Sequence, residues 1–75
     1  MQTTEELLLV IGHNIRKLRK SKNWSQADLA LKVGMHRSYI GAIEKGKKNI
    51  SLTKLTRLAN VFEIGLGELI RIPSC

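Results

Sequence analysis

The stretch from Gln26 to Lys45, QADLALKVGMHRSYIGAIEK, constrains the fold of this chain more than any other. Leu29, Ala30 and Val33 recur at the spacing that gives a helix one apolar face, and Ile40 and Ile43 do the same for a second helix. Gly34 stands between them. It has no Cβ to clash in the left-handed backbone conformation, so it can end the first helix in one step. Ala30 falls four residues after Gln26, Gly34 eight, Ile40 fourteen and Ile43 seventeen. A small residue and a glycine at those places let two short helices cross at close range.

The rest of the chain reads as further helices around that pair. Thr3 or Thr4 caps a first helix, with Glu5 and Glu6 in its first turn, where the helix dipole favours negative charge. Leu8, Ile11, Ile15 and Leu18 then line one face. Leu7, Leu9 and Val10 exceed what one face requires, and either widen the core or contribute to a subunit contact. Lys22, Asn23 and Trp24 break this helix, and Trp24 is read as a packing residue between two helices. Ser25 opens the second helix with Asp28 three residues on, a variant of the capping box. Gly46 to Ile50 make a loop. Ser51 then caps a fourth helix over 52–62, with Leu52, Leu55, Leu58, Ala59 and Phe62 at core spacing. A short fifth helix over 66–71 carries Leu66, Leu69 and Ile70, followed by Ile72 and the helix-stopping Pro73. Leu66, Leu69, Ile70 and Ile72 either close the core or form a two-fold contact with a second copy.

Length and chemistry narrow the function. Seventy-five residues with three aromatics leave room for one domain, spanning 1–75, around a small aliphatic core. They leave too little for an enzyme pocket and its scaffold. No Ser/His/Asp set, paired carboxylates or phosphate-binding loop is present. His13 and His36 lie 23 residues apart with no cysteine nearby, so neither a metal nor a cofactor is expected. The lone Cys75 rules out an internal disulfide and fits a reducing cytoplasm. The apolar run at 7–11 is too short for a bilayer and follows two acids, so no membrane or export segment is expected.

Charge points toward a partner. Thirteen Lys and Arg stand against six Asp and Glu, and twelve of the thirteen lie between His13 and Arg57, where Asp28 and Glu44 are the only acids. A basic middle with compensated ends fits a polyanion. Arg16, Lys17, Lys20 and Lys22 are either a solvated face or support for a phosphate backbone.

Residues 26–45 in this setting form a helix-turn-helix motif. With Ile40 and Ile43 inward, Arg37, Ser38, Ala42 and Lys45 turn outward, and Tyr39 and Gly41 flank them. An α-helix fits the major groove of B-DNA, and its first two turns reach base edges. Arg37 is read as the guanine reader, or else as a phosphate contact. Ser38 can bond to several bases, and Ala42 can touch a thymine methyl. Ser25 and Gln26, beside a helix N-terminus, are assigned to phosphate, as are Tyr39, Lys45, Lys47 and Lys48. His36 is either a helix-start residue or a further contact. Glu44, an isolated acid in this cluster, should face inward and pair with a cation, for which Arg19 is the choice.

On Arg19, Ser25-Gln26, Leu29-Ala30, Gly34, Ile40, Glu44 and Gly46, the chain resembles the Cro/C1-type helix-turn-helix family, also called XRE, over residues 8–70. The run HRSYIGAIEKGKKNISLTKLTRLA is similar to the controller proteins of restriction–modification systems, small homodimers that bind operator DNA. The resemblance implies an all-α, five-helix lambda-repressor-like domain with helix three in the major groove. It implies an Arg19–Glu44 ion pair, Gln26 on a phosphate, Arg37, Ser38 and Ala42 on bases, and Lys45, Lys47 and Lys48 near the DNA backbone. Double-stranded operator DNA and a second copy are the implied partners, with RNA polymerase added if the regulator activates. Many controllers carry an acid where this chain has His36, which predicts a weaker cap for helix three. Alternative readings of the same fold are a small phage- or plasmid-type repressor and an antitoxin-like interaction module.

Overall fold

Five α-helices and no strand make up residues 3–72, the part of the chain described by the computed structural model. They are α1 (Thr4–Ser21), α2 (Gln26–Val33), α3 (Arg37–Glu44), α4 (Leu52–Val61) and α5 (Leu66–Leu69). Pro73, read as a helix stop, and Cys75, read as excluding an internal disulfide, lie outside the described residues.

The four longer helices each start on a side chain that accepts from a free backbone N–H. Thr3 and Glu6 make a reciprocal box at the head of α1, with bonds of 2.9 and 3.1 Å. Ser25 and Asp28 do so at α2, with bonds of 2.8 and 3.0 Å. Ser51 Oγ accepts from the Lys54 N–H at 3.2 Å to start α4. At α3, where the sequence led to a weaker cap than an acid would give, His36 supplies the cap. The imidazole Nδ1 accepts from the Ser38 N–H at 3.2 Å, a ring nitrogen taking the place of the usual carboxylate oxygen.

The ends are set by backbone handedness and by cations. Gly34 takes φ 73° and closes α2, as its position required. Arg57, reaching from α4, donates through Nη2 to the carbonyls of Val33 at 2.5 Å and Gly34 at 3.4 Å, placing a positive charge at the α2 C-terminus. At the other end of the chain, α5 stops at Leu69, two residues earlier than expected. There the Nδ2 of Asn14 in α1 donates to the carbonyls of Leu69 and Arg71 at 2.8 and 2.9 Å. Helix α4 likewise ends one residue early, with Phe62 as its cap.

The core is aliphatic and draws on every helix: Ile11 and Ile15, Leu29, Ala30 and Val33, Ile40 and Ile43, Leu55, Leu58 and Ala59 with Phe62, and Leu69. Two assignments change. Leu52, expected inside, is 67% exposed, because it stands in the first turn of α4 ahead of the point where that helix meets the core at Leu55. Leu69, assigned to a contact between copies, is fully buried and closes the core of its own chain. Leu66 is half-buried against that core, which leaves Ile70 and Ile72 as the exposed remainder of that patch. Trp24 packs as expected, its ring stacked on Phe62 with centroids 5.6 Å apart.

Helix α1 crosses the end of α3 at backbone range. A Cβ built on the buried Gly12 would overlap the Ile43 carbonyl oxygen and lie 2.9 Å from that of Glu44. Leu9, although largely exposed, covers the turn after α3, where Gly46 sits at φ 72° and a Cβ would come within 2.8 Å of Leu9 Cδ2. Alanine in a helix is favoured over glycine by about 1 kcal/mol, but crowding against two backbone carbonyls outweighs that. Gly12→Ala should destabilise the fold by about 2 kcal/mol net, read as a lower urea midpoint at unchanged slope.

The capping boxes carry a pH signature. Hydrogen bonds from the Ser25 backbone and hydroxyl, with Lys32 nearby, lower the pKa of Asp28, and the Thr3 bonds lower that of Glu6. A carboxylate held low in the folded state contributes stability above its ordinary value of about 4 that is lost as the pH falls through the lowered folded value. Thermal melts between about pH 6 and about pH 3 should therefore show a shallower acid decline in Asp28→Asn than in the native chain.

Candidate nucleic-acid interface

Glu44 sets the polarity of α3. It is the only acid of that helix, and its side chain is 4% exposed. Arg19 of α1 meets it with two bonds, Nε to Oε2 at 2.6 Å and Nη2 to Oε1 at 3.0 Å, while Nη1 donates to the Trp24 carbonyl at 2.8 Å. Gln26 of α2 adds a bond from Nε2 to Glu44 Oε1 at 3.2 Å. One carboxylate thereby gathers α1, α2 and α3. Its bond to Arg19 raises the guanidinium pKa against the opposing pull of burial, so the guanidinium stays charged. Among the described residues no buried side-chain nitrogen or oxygen lacks a partner.

With the acid inside, the opposite side of α3 is cationic. Arg37 and Ser38 are exposed and Ala42 is half-buried. With Gln26, His36, Gly41, Lys45 and Lys47 they line one open groove that contains no carboxylate. Gly41 lets α3 sit close to α2, since a Cβ there would lie 3.5 Å from the Gln26 Oε1. Ser25, at the head of α2, is exposed, and its oxygen is engaged as an acceptor by the cap.

Tyr39 and Lys48 stand outside the lining of this groove and belong to a neighbouring cluster. The Tyr39 ring is half-buried, with the ammonium groups of Lys54 at 4.5 Å and Lys48 at 5.8 Å from its centroid. Lys54 Nζ also reaches the Tyr39 hydroxyl at 3.5 Å. Lys54 did not figure among the sequence-derived contacts. Its only sequence signal is its place three residues after the Ser51 cap, the position of a residue near a helix N-terminus.

Ile70 and Ile72, 42% and 47% exposed, lie apart from both clusters. Among the described residues no group of three or more His, Cys, Asp or Glu is arranged to hold a metal ion, and no helix is long and apolar enough to cross a membrane.

The comparisons agree with this geometry. The helix-turn-helix family profile HTH_3 matches residues 15–69, and the chain belongs to that family. A hypothetical transcription factor of Neisseria meningitidis is 32% identical over 69 residues, covering 92% of this chain, which spans 65% of that protein's length. The restriction-modification controller protein C.AhdI of Aeromonas hydrophila is 40% identical, with a TM-score of 0.79 over 83% of this chain and 94% of its own. The biofilm regulator SinR, solved in complex with DNA, is 32% identical, with a TM-score of 0.76 over 81% of this chain and 98% of its own.

Removing Arg19 alone would leave Glu44 buried without its cation. Arg19→Met should cost about 3–5 kcal/mol of unfolding free energy, whereas Arg19→Met with Glu44→Met should recover a large part of it. Urea unfolding of the two variants gives the coupling directly.

Proposed function

We propose that this protein is a sequence-specific DNA-binding transcriptional regulator acting as the homodimeric controller of a restriction–modification operon. The observation that carries the proposal is the outward side of α3, where Arg37 and Ser38 are exposed beside Lys45 and Lys47 while the one acid of the helix is turned in. Likeness to C.AhdI supports the controller role, and likeness to the DNA-complexed SinR supports the duplex as ligand.

In this reading α3 enters the major groove. Arg37 offers two donors to the O6 and N7 of guanine, Ser38 meets an adjacent base edge, and Ala42 packs on a thymine methyl. Ser25, Gln26, His36, Tyr39, Lys45, Lys47 and Lys48 hold the phosphates. Two copies, joined through Ile70, Ile72 and the accessible part of Leu66, would set two such helices about 34 Å apart on a near-palindromic operator. An activating controller would touch RNA polymerase as well.

Selection of bound duplexes from a random pool tests specificity, symmetry and spacing together. Two half-sites about one helical turn apart are expected, and recovery of unrelated sequences would overturn the proposal. Arg37→Ala should cost about 1–3 kcal/mol on the selected site and relax preference at one base pair. Lys47→Ala should weaken all duplexes alike and reduce the slope of log K against log salt by about one. Equilibrium titrations at several salt concentrations separate the two effects.

A further inference from the structure

Ser38 is held in one hydrogen-bonding state by its neighbour. Its backbone N–H donates to His36 Nδ1 at 3.2 Å, and its hydroxyl oxygen lies 2.7 Å from the same nitrogen. A backbone N–H can only donate, so in this geometry Nδ1 acts as an acceptor, the role it has in the tautomer whose one ring hydrogen is on Nε2. The hydroxyl hydrogen of Ser38 must then also point at Nδ1. What Oγ has left for a ligand is lone pairs.

We infer that His36 decides which hydrogen-bonding role Ser38 presents to a base, and that this role reverses when the imidazole gains a proton. With neutral His36, Ser38 is an acceptor toward the groove and suits a base edge that offers an amino group, adenine N6 or cytosine N4. When Nδ1 takes a proton from solvent, the ring becomes the donor to Oγ. The hydroxyl hydrogen swings outward, and Ser38 then suits thymine O4 or the O6 and N7 of guanine. The Ser38 N–H loses its acceptor in the same step. The charged groups around the ring are Arg37 and Lys45 at the two ends of α3, Lys47 in the following loop, and Arg57 of α4 on the Gly34 carbonyl. Helix α2 contributes the neutral Gln26, and no acid lines the groove to compete for the imidazole. An aspartate at this position would accept from both Ser38 groups at any pH near neutrality, so a histidine makes the arrangement switchable.

This inference rests on the DNA-binding reading, and the experiment separates the two. Nitrogen NMR shifts of His36 in the free protein at about pH 8 should show hydrogen on Nε2 and none on Nδ1, and the opposite tautomer would overturn the inference alone. Pool selections are then run at about pH 8 and about pH 5.5, on either side of the ordinary histidine range, with the native chain, Ser38→Ala and His36→Asp. The position at which Ser38→Ala erases preference should favour adenine or cytosine on the contacted strand roughly tenfold at the higher pH. At the lower pH that preference should vanish or pass to thymine or guanine, whereas His36→Asp, which binds every duplex more weakly through its lost phosphate contact, should retain the base preference at both. A selected site whose preference does not respond to pH in the native chain overturns the inference, as does an identical response in His36→Asp, or a Ser38→Ala variant that erases nothing. Absence of any selected site overturns the DNA-binding reading itself.

Discussion

The buried bond between Arg19 and Glu44 is the constraint on which the remaining geometry depends. A cation and a carboxylate withdrawn from water gain little net stability over apolar residues of the same size, since desolvation nearly cancels their attraction. What the pair supplies is position. The planar guanidinium meets both carboxylate oxygens and the Trp24 carbonyl at once, so it ties the end of α1 to the end of α3 and to the turn that begins α2. Gln26 completes the link from the α2 side. Gly12 then lets the two helices meet at backbone contact, so α3 has one orientation and presents one side.

How much of this could be read from the chain depends on the range of the interaction concerned. The break at Gly34, the inward turn of Ile40 and Ile43, and the capping boxes at Thr3 and Ser25 are local, and residue type with spacing reveals them. The outward set of α3 followed from the same periodicity. Leu52 and Leu69 were misread because spacing gives the face of a helix but not where along its length that face has neighbours. At the end of α5 the local signal is Pro73, whereas the bond from Asn14, 55 residues from Leu69, joins distant parts of the chain and no local pattern announces it. His36 was read as a helix-start residue or a further contact, and its ring caps α3; Lys54 was missed because its partnership with Tyr39 joins two different helices.

The groove divides labour between charge and shape. Lys45 and Lys47 are point charges on flexible stems, suited to phosphate wherever it lies. Arg37 has a rigid fork, and Ser38 has a hydroxyl already committed on one side. Groups of the first kind draw in any duplex, and groups of the second kind tell one duplex from another. Lys54 is steadied by the Tyr39 ring, 4.5 Å from its centroid.

The stacked indole of Trp24 has a practical consequence. It is the sole tryptophan of the chain, flanked by the ammonium groups of Lys32 and Lys22 at 4.7 and 5.8 Å, and its own carbonyl receives the Arg19 bond. Its emission should therefore respond to loosening of the α1–α2 corner or of the seat beneath Phe62. The molecule thus carries an intrinsic fluorophore at the junction that orients α3, and changes there can be followed optically without attaching a dye.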